Sequence, residues 1–430
     1  MKRHTLSATC FISFMLAAQS AWAFGEGTLF DMERRRDQFS HDFGYFIYPI
    51  SGSVPGLGTA YGGGATVTNI AETDTDFTGF YITGDFEASG AAILNYHLID
   101  ERLILDVANY TAKVAPKQYN RGMDSSKDDF ILPKVESEMA VAQLTYTVFD
   151  RMFEFYLRGG VGSQRLMNVY DSSGNEFSNA DKSKTYFQAL AIGFGLDVTD
   201  DRQDPRRGVR YEMKDRMIFA EYGDSSAFDV LDANLTYYHP VGESSTWVFN
   251  AYYSTALMRK KGLTDRGTLQ QKQGLQCQNI PDPAGRAECE KAEAAFLDEL
   301  IANNTYGNAT DLGGVTRLRS FPMGRFHAGQ TVGYGTELRW NLTDENTPMD
   351  WYILRGLRTA IQVAFFADIG SVADHTGDLH KNMMTSVGTG IRILFSGATI
   401  RFDIATGSEG TEGQLMLDYP YSMFTVASVM

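Results

Sequence analysis

Three arginines stand in a stretch with no strand or helix signature: Gly313-Gly314-Val315-Thr316-Arg317-Leu318-Arg319-Ser320-Phe321-Pro322-Met323-Gly324-Arg325-Phe326. A guanidinium holds a carboxylate through two parallel hydrogen bonds and keeps its charge when buried. An arginine loop carried into an interior therefore needs a fixed carboxylate partner, because an unpaired buried charge is very costly. The partner we expect is Asp368, in Val363-Ala364-Phe365-Phe366-Ala367-Asp368-Ile369-Gly370. Strand alternation puts Phe366 and Asp368 on one face, opposite Val363 and Phe365. Phe321 and Phe366 would shield the Arg319–Asp368 pair.

Other groupings offer chemistry only weakly. Gly159-Gly160-Val161-Gly162-Ser163 lacks the trailing glycine of a nucleophile elbow, and Gly223-Asp224-Ser225-Ser226 reads as a hairpin tip. Asp374, His375, Asp378 and His380 could ligate a metal, but a solvated polar loop is the simpler reading. Asp171, Ser173 and Asn175 hint at calcium without the bidentate Glu that an EF-hand needs. Gly56, Gly58, Gly62, Gly63 and Gly64 lack the strand–glycine–helix setting of a phosphate loop. In a first strand they would weaken the seam with the last strand, or pack tightly beneath a neighbouring side chain. We expect no catalytic residue, cofactor or metal.

The elements that position these residues are strands. Arg210, Glu212, Lys214 and Arg216 share one face, opposite Tyr211, Met213, Met217 and Phe219, with Asp215 as an exception. Tyr334, Leu338, Trp340 and Leu342 oppose Glu337, Arg339 and Asn341, while Ile400, Phe402 and Ile404 oppose Arg401 and Asp403. Charges on one face and bulky apolar groups on the other suit a wet lumen and a lipid exterior. Alternation alone does not separate this from a soluble sandwich; the export signal and the length favour the barrel. Fifteen segments between 58–69 and 414–424 read as strands, with one more at 43–50 or within the N-terminal third. The predicted class is all-β: a transmembrane, antiparallel, up-and-down barrel of sixteen strands, as an even count requires.

Met1 to Ala23 reads as a signal peptide: basic Lys2-Arg3-His4, apolar Phe11 to Ala18, and Ala21-Trp22-Ala23 for cleavage. The formal charge is −15, which excludes nucleic acid as a natural partner. No mature run is long and apolar enough for a membrane helix. The 28 Phe, 22 Tyr and 42 Gly instead suit an outer-membrane barrel. Export removes Cys10 and leaves Cys277 and Cys289 in an oxidising compartment, where a disulfide is expected. Residues 24–45 form a short periplasmic lead-in, 46–424 the barrel and 425–430 a tail. Long polar connections at 116–130, 168–182, 259–329 and 372–382 should lie outside, and short ones near Asp150, Gly242 and Gly397 in the periplasm. The long insertion should hold a helix, capped by Asp282 with Pro283 at its first position.

Three motifs carry a family resemblance. Leu318-Arg319-Ser320-Phe321 followed by Gly324-Arg325-Phe326 resembles the arginine-glycine-aromatic loop motif of the BamA/TamA (bacterial surface antigen) superfamily. The loop falls between the eleventh and twelfth strands, the matching place. Phe366-Ala367-Asp368-Ile369-Gly370 resembles that family's thirteenth-strand motif, and Asp201-Arg202-Gln203-Asp204-Pro205-Arg206-Arg207-Gly208 its turn before the ninth strand. The terminal aromatic, Phe424, also fits. The resemblance implies that Arg319 and Asp368 form a structural latch inside the lumen. Ser320 replaces the family's glycine, and the family's periplasmic POTRA repeats have no counterpart before the barrel. The implied role is insertion or translocation of protein or lipid in the outer membrane, with membrane lipids and an unfolded outer-membrane protein or a lipid as partners. The alternatives are a passive or gated pore, whose selectivity the charges at 210–216, 337 and 339 would set, and a structural or partner-binding barrel.

Overall fold

The computed structural model describes residues 33–39, 43–54, 58–170, 172, 174, 176, 183–220, 224–275, 277–343, 348–395, 398–417 and 419–423. The expected leader 1–23, Phe424 with the tail 425–430, Gly56, Gly223, Gly397, and Asp171, Ser173 and Asn175 lie outside the described residues.

Strands dominate, in one antiparallel up-and-down order. The first five are β1 (Gly44–Val54), β2 (Gly58–Thr68), β3 (Asp76–Gly84), β4 (Glu87–Ile99) and β5 (Leu103–Val114). A two-residue β6 (Gln118–Tyr119) precedes β7 (Phe130–Val148), β8 (Phe153–Tyr170), β9 (Lys184–Thr199), β10 (Gly208–Ile218), β11 (Ala227–Val241) and β12 (Ser245–Lys260). After a long insertion come β13 (Gln330–Asn341), β14 (Pro348–Trp351), β15 (Leu354–Ala373), β16 (Met384–Phe395), β17 (Ala398–Gly407) and β18 (Gly410–Leu417). The described strands number eighteen, not the sixteen expected. The excess is two short pieces that alternation over ten residues does not reveal. β6 pairs Gln118 with Ile131 and Tyr119 with Phe130 within a loop. β14 folds onto the protruding end of β15, which has 20 residues against 12 in β13. With these two set aside, β12 and β13 are the eleventh and twelfth long strands, and β15 is the thirteenth.

The sheet has an exposed outer face and a buried inner face. Leu338, Trp340, Phe365, Phe402 and Ile404 are exposed on the outer face, while Glu337, Arg339, Asp368, Arg401 and Asp403 are buried within. This inversion of a soluble sheet follows from the alternation already visible in the chain. Aromatic rings gather on the outer face at the short-turn end, with Phe155 against Phe194 and Trp247 against Phe249, each pair 5.1 Å apart. An outward apolar band with an aromatic girdle is the surface that a spanning barrel presents to lipid. Among the described residues, no helix is long and apolar enough to cross a membrane.

Both edges of the sheet differ from expectation. The first strand is β1, so the glycines of 58–64 belong to the second strand and not to the seam. Their tight-packing role is visible at Gly64, where a Cβ would lie 2.5 Å from the Tyr48 ring. The start of β1 pairs with the protruding end of β15, Tyr45 opposite Arg355 and Phe46 opposite Leu354. Among the described residues, no backbone ladder joins β1 to β18. The last strand ends at Leu417 rather than at 424. Pro420 cannot donate to a ladder, and Tyr421 has φ 72°, a left-handed turn that directs the chain inward.

The insertion carries two helices where the sequence pattern indicates one: α1 (Arg266–Gln273) and α2 (Pro283–Tyr306). Asp282 caps α2 by accepting from Gly285 N at 2.7 Å, and Pro283 stands in its first turn. Cys277 and Cys289 form a disulfide that ties the two helices' connection to α2. A closed loop of 12 residues should contribute about 3 kcal/mol on chain-entropy grounds.

Candidate functional site

Arg319 is fully buried at the centre of the interior. Its loop departs from the extended backbone at Leu318, with φ 50°, and Ser320 N donates to Ser386 Oγ at 2.9 Å. Arg319 Nε donates to Asp368 Oδ2 at 2.9 Å and Nη2 to Asp368 Oδ1 at 3.2 Å, a bidentate pair. The expected partner is therefore the partner found. It is not alone. Arg319 Nη1 reaches Glu337 Oε2 at 2.9 Å and Asp403 Oδ2 at 3.2 Å. Glu337 also accepts from Arg339 Nε (2.9 Å) and Arg392 Nη2 (3.0 Å), and Asp403 from Arg401 (2.8 Å) and from Arg392. Four guanidinium groups and three carboxylates thus share a water-poor cluster built from one loop and strands β13, β15, β16 and β17. Such charges are tolerable only when each is paired.

The aromatic cover gains one member. Phe366 lies 3.4 Å from the Arg319 guanidinium carbon, and Tyr421 lies 5.4 Å away. Phe321 has a ring contact elsewhere in the loop. It packs on Phe326 at 5.2 Å, in an apolar cluster with Met123, Leu312, Leu318, Ala328 and Val372. This packing anchors the loop by burial.

Arg325 makes a separate anchor nearer the loop end. It holds Glu409 bidentately at 2.9 and 2.7 Å and donates to Ser125 Oγ at 2.7 Å. Burial pushes the Tyr119 hydroxyl up to about 12, with the Arg325 charge opposing, so a neutral ring lies 4.9 Å from Arg325. Arg317 stacks on Tyr252 at 3.7 Å and donates to Asn234 Oδ1 at 2.9 Å. Each arginine of the loop is thus assigned to a different wall.

The C-terminal segment completes the cluster. Tyr421 donates to Asp368 Oδ1 at 2.6 Å and accepts from Arg319 Nη2 at 2.7 Å. Tyr419 donates to Asp204 Oδ1 at 2.8 Å, which links the interior to the Asp201–Gly208 turn at the short-turn end. In that turn Asp201 Oδ1 accepts from Gln203 N at 2.9 Å, and Asp200 Oδ1 from Arg206 N and Arg207 N. Arg202 reaches Glu154 at 3.0 Å, and Pro205 is buried. Gly208 has φ +114°, and a Cβ there would lie 2.0 Å from Val198 O, so no other residue fits. The lead-in docks on the same turn: Arg35 Nε meets Asp200 Oδ2 at 2.8 Å and Arg36 Nε meets Asp201 Oδ2 at 2.7 Å.

Sequence reasoning missed Glu337, Asp403, Arg392 and Arg401 as partners. Their inward alternation was the available signal; their convergence on Arg319 had none. Tyr421 and Glu212 were also missed as neighbours, because the terminal run was read as wall. At the loop end, Asp374 pairs with Arg121 at 2.6 Å, His380 meets Tyr334 OH at 3.2 Å, and Asp378 pairs with Lys381 at 2.5 Å. Among the described residues no group of three or more His, Cys, Asp or Glu is arranged for a metal.

No family model matches the chain, and no curated protein matches it. Solved structures similar to it include BamA from Haemophilus ducreyi lacking POTRA domains 1–3, at 13% identity and a TM-score of 0.47, covering 87% of this chain and 68% of that one. CdiB from Escherichia coli is similar at 11% identity and 0.48, and CdiB from Acinetobacter baumannii at 11% and 0.47. Each covers 87% of this chain, which spans 61% and 59% of theirs. The chain is similar in structure to BamA and CdiB.

Proposed function

We propose that this protein is a barrel of the bacterial outer membrane that inserts or translocates protein or lipid by perturbing the bilayer at the seam between β1 and β18. The observation that carries the reading is the seam itself. The two strands share no ladder among the described residues, and β1 is held instead by a short pairing with Leu354 and Arg355. Pro49 within β1 withholds a donor from any further pairing. A strand edge without a ladder partner among the described residues is a template for an incoming strand. The outward apolar band supplies the lipid contact, with the short turns in the periplasm and the helical insertion outside. No enzymatic step enters this reading.

The interior argues against a wide passive pore. The 313–326 loop and Tyr419–Met423 lie within it, so a reconstituted barrel should give small, flickering currents. Large steady currents would favour the pore.

The test of the seam is a cysteine pair at Tyr45 and Arg355, register partners in β1 and β15. The locked and reduced forms are placed in liposomes, and the folding rate of a small reference outer-membrane barrel and the rate of lipid flip are measured. Locking should slow at least one of the two. Equal rates in both assays remove lateral opening as the mechanism.

A further inference from the structure

Tyr419–Met423 lies in the interior as a peptide lies in a groove. The Tyr419 hydroxyl donates to Asp204 at 2.8 Å and is also 2.9 Å from Gln362 Oε1. Its ring faces Arg339 at 4.0 Å. The Tyr421 ring fills a hollow that exists because residue 335 is glycine: a Cβ there would lie 2.6 Å from the ring. The Tyr421 hydroxyl joins Asp368 and Arg319, and its carbonyl accepts from Asn234 Nδ2. Glu212 accepts from Ser422 Oγ and from Met423 N, each at 3.1 Å. These contacts are made by side chains of the wall, not by a strand ladder, and the groups that make them are buried.

We propose that this groove is a peptide-binding site, occupied in cis by the chain's own C-terminal segment, and that it accepts in trans a short peptide bearing two tyrosines one residue apart. Withdrawing the segment takes partners from Glu212, Asn234, Asp368 and Arg319 at once. Buried groups left short of partners are expensive, so the emptied groove selects a ligand that restores the same hydroxyls and main-chain donors. The segment leaves the wall at Leu417, so the groove opens to the short-turn end. This inference is independent of the insertion reading, since a pore or a structural barrel would carry the same groove.

The experiment uses a chain ending at Leu417, folded in detergent micelles and titrated with fluorescently labelled Tyr-Pro-Tyr-Ser-Met. The control peptide has both tyrosines replaced by alanine. The shortened chain should bind the tyrosine peptide at least about tenfold more tightly than the control, the loss expected for hydrogen bonds to charged groups. The intact chain should not bind it. Equal affinity for both peptides, or equal binding by the intact chain, overturns the proposal. A second variant, Gly335→Ala in the full chain, covers failure of the shortened chain to fold. Its added Cβ displaces the Tyr421 ring, so chymotrypsin should cut at Tyr421 at least about tenfold faster than in the unaltered chain, a hydrogen-bond loss of the same size. Equal cleavage rates overturn the cis occupancy on which the site depends.

Discussion

Arg319 and Arg35 each bridge carboxylates from distant parts of the chain, in opposite surroundings. Arg319 is fully buried, held by Asp368, Glu337 and Asp403 and faced by Phe366 and Tyr421. Arg35 keeps 29% of its side chain exposed, on the outside of a turn where Asp200, Asp201 and Asp204 gather. Both see three carboxylates, so the count of ion pairs does not separate them. Water does. Asp200, Asp201 and Asp204 are themselves buried, but the Arg35 guanidinium is partly open to water, which screens the pairs and lowers their gain. A fully buried pair has no such screening, and removing one partner strands the others. The interior cluster is therefore the part of the molecule that tolerates no gap, and the lead-in is a fastening.

Arg319→Ala tests this contrast most severely. It leaves Asp368 with the Tyr421 hydroxyl and leaves Glu337 and Asp403 to share Arg339, Arg392 and Arg401, and should cost about 3–5 kcal/mol. The measurement is loss of the heat-modifiable folded band on a gel; an unchanged band would remove the latch. Tyr421→Phe should cost less, about 1.5–3 kcal/mol, since it deletes two hydrogen bonds to charged groups while the ring still fills the hollow at Gly335. The unfolding midpoint in guanidinium chloride reads it, and a shift as large as that of Arg319→Ala would mean that the tail, not the loop, organises the cluster. Arg35→Ala should cost least, about 1 kcal/mol, because the guanidinium is partly solvated and Asp200, Asp201 and Asp204 each keep other donors, and the difference should fade in 1 M salt, where screening acts within about 3 Å. A larger, salt-independent loss would place the lead-in with the interior cluster and erase the comparison.

Much of this arrangement was legible beforehand. Asp368 was assigned to Arg319 because alternation gave its side chain an inward direction and because a buried guanidinium needs a carboxylate. The faces of Glu337, Arg339, Arg401 and Asp403 were read the same way. What alternation does not report is which inward charges meet. Glu337 and Asp403 stand on β13 and β17, with β15 and β16 between them in the sheet, and only curvature brings both to within about one hydrogen bond of Arg319. The packing of Phe321 on Phe326 was unreadable for a related reason: a loop has no period from which to infer direction.

The sequence by itself determined the long strands of the second half, the side of the sheet on which their charges stand, the disulfide pair and the need for an Arg319 partner, because these depend on local spacing and on the energetics of burying charge. The tertiary structure decided the seam, where β1 is caught by the protruding end of β15, and the inward turn of the chain after Leu417. It also decided that Tyr421 lies against Arg319 and Asp368. Those outcomes depend on unequal strand lengths and on the space left inside a curved sheet, quantities that no window of residues contains.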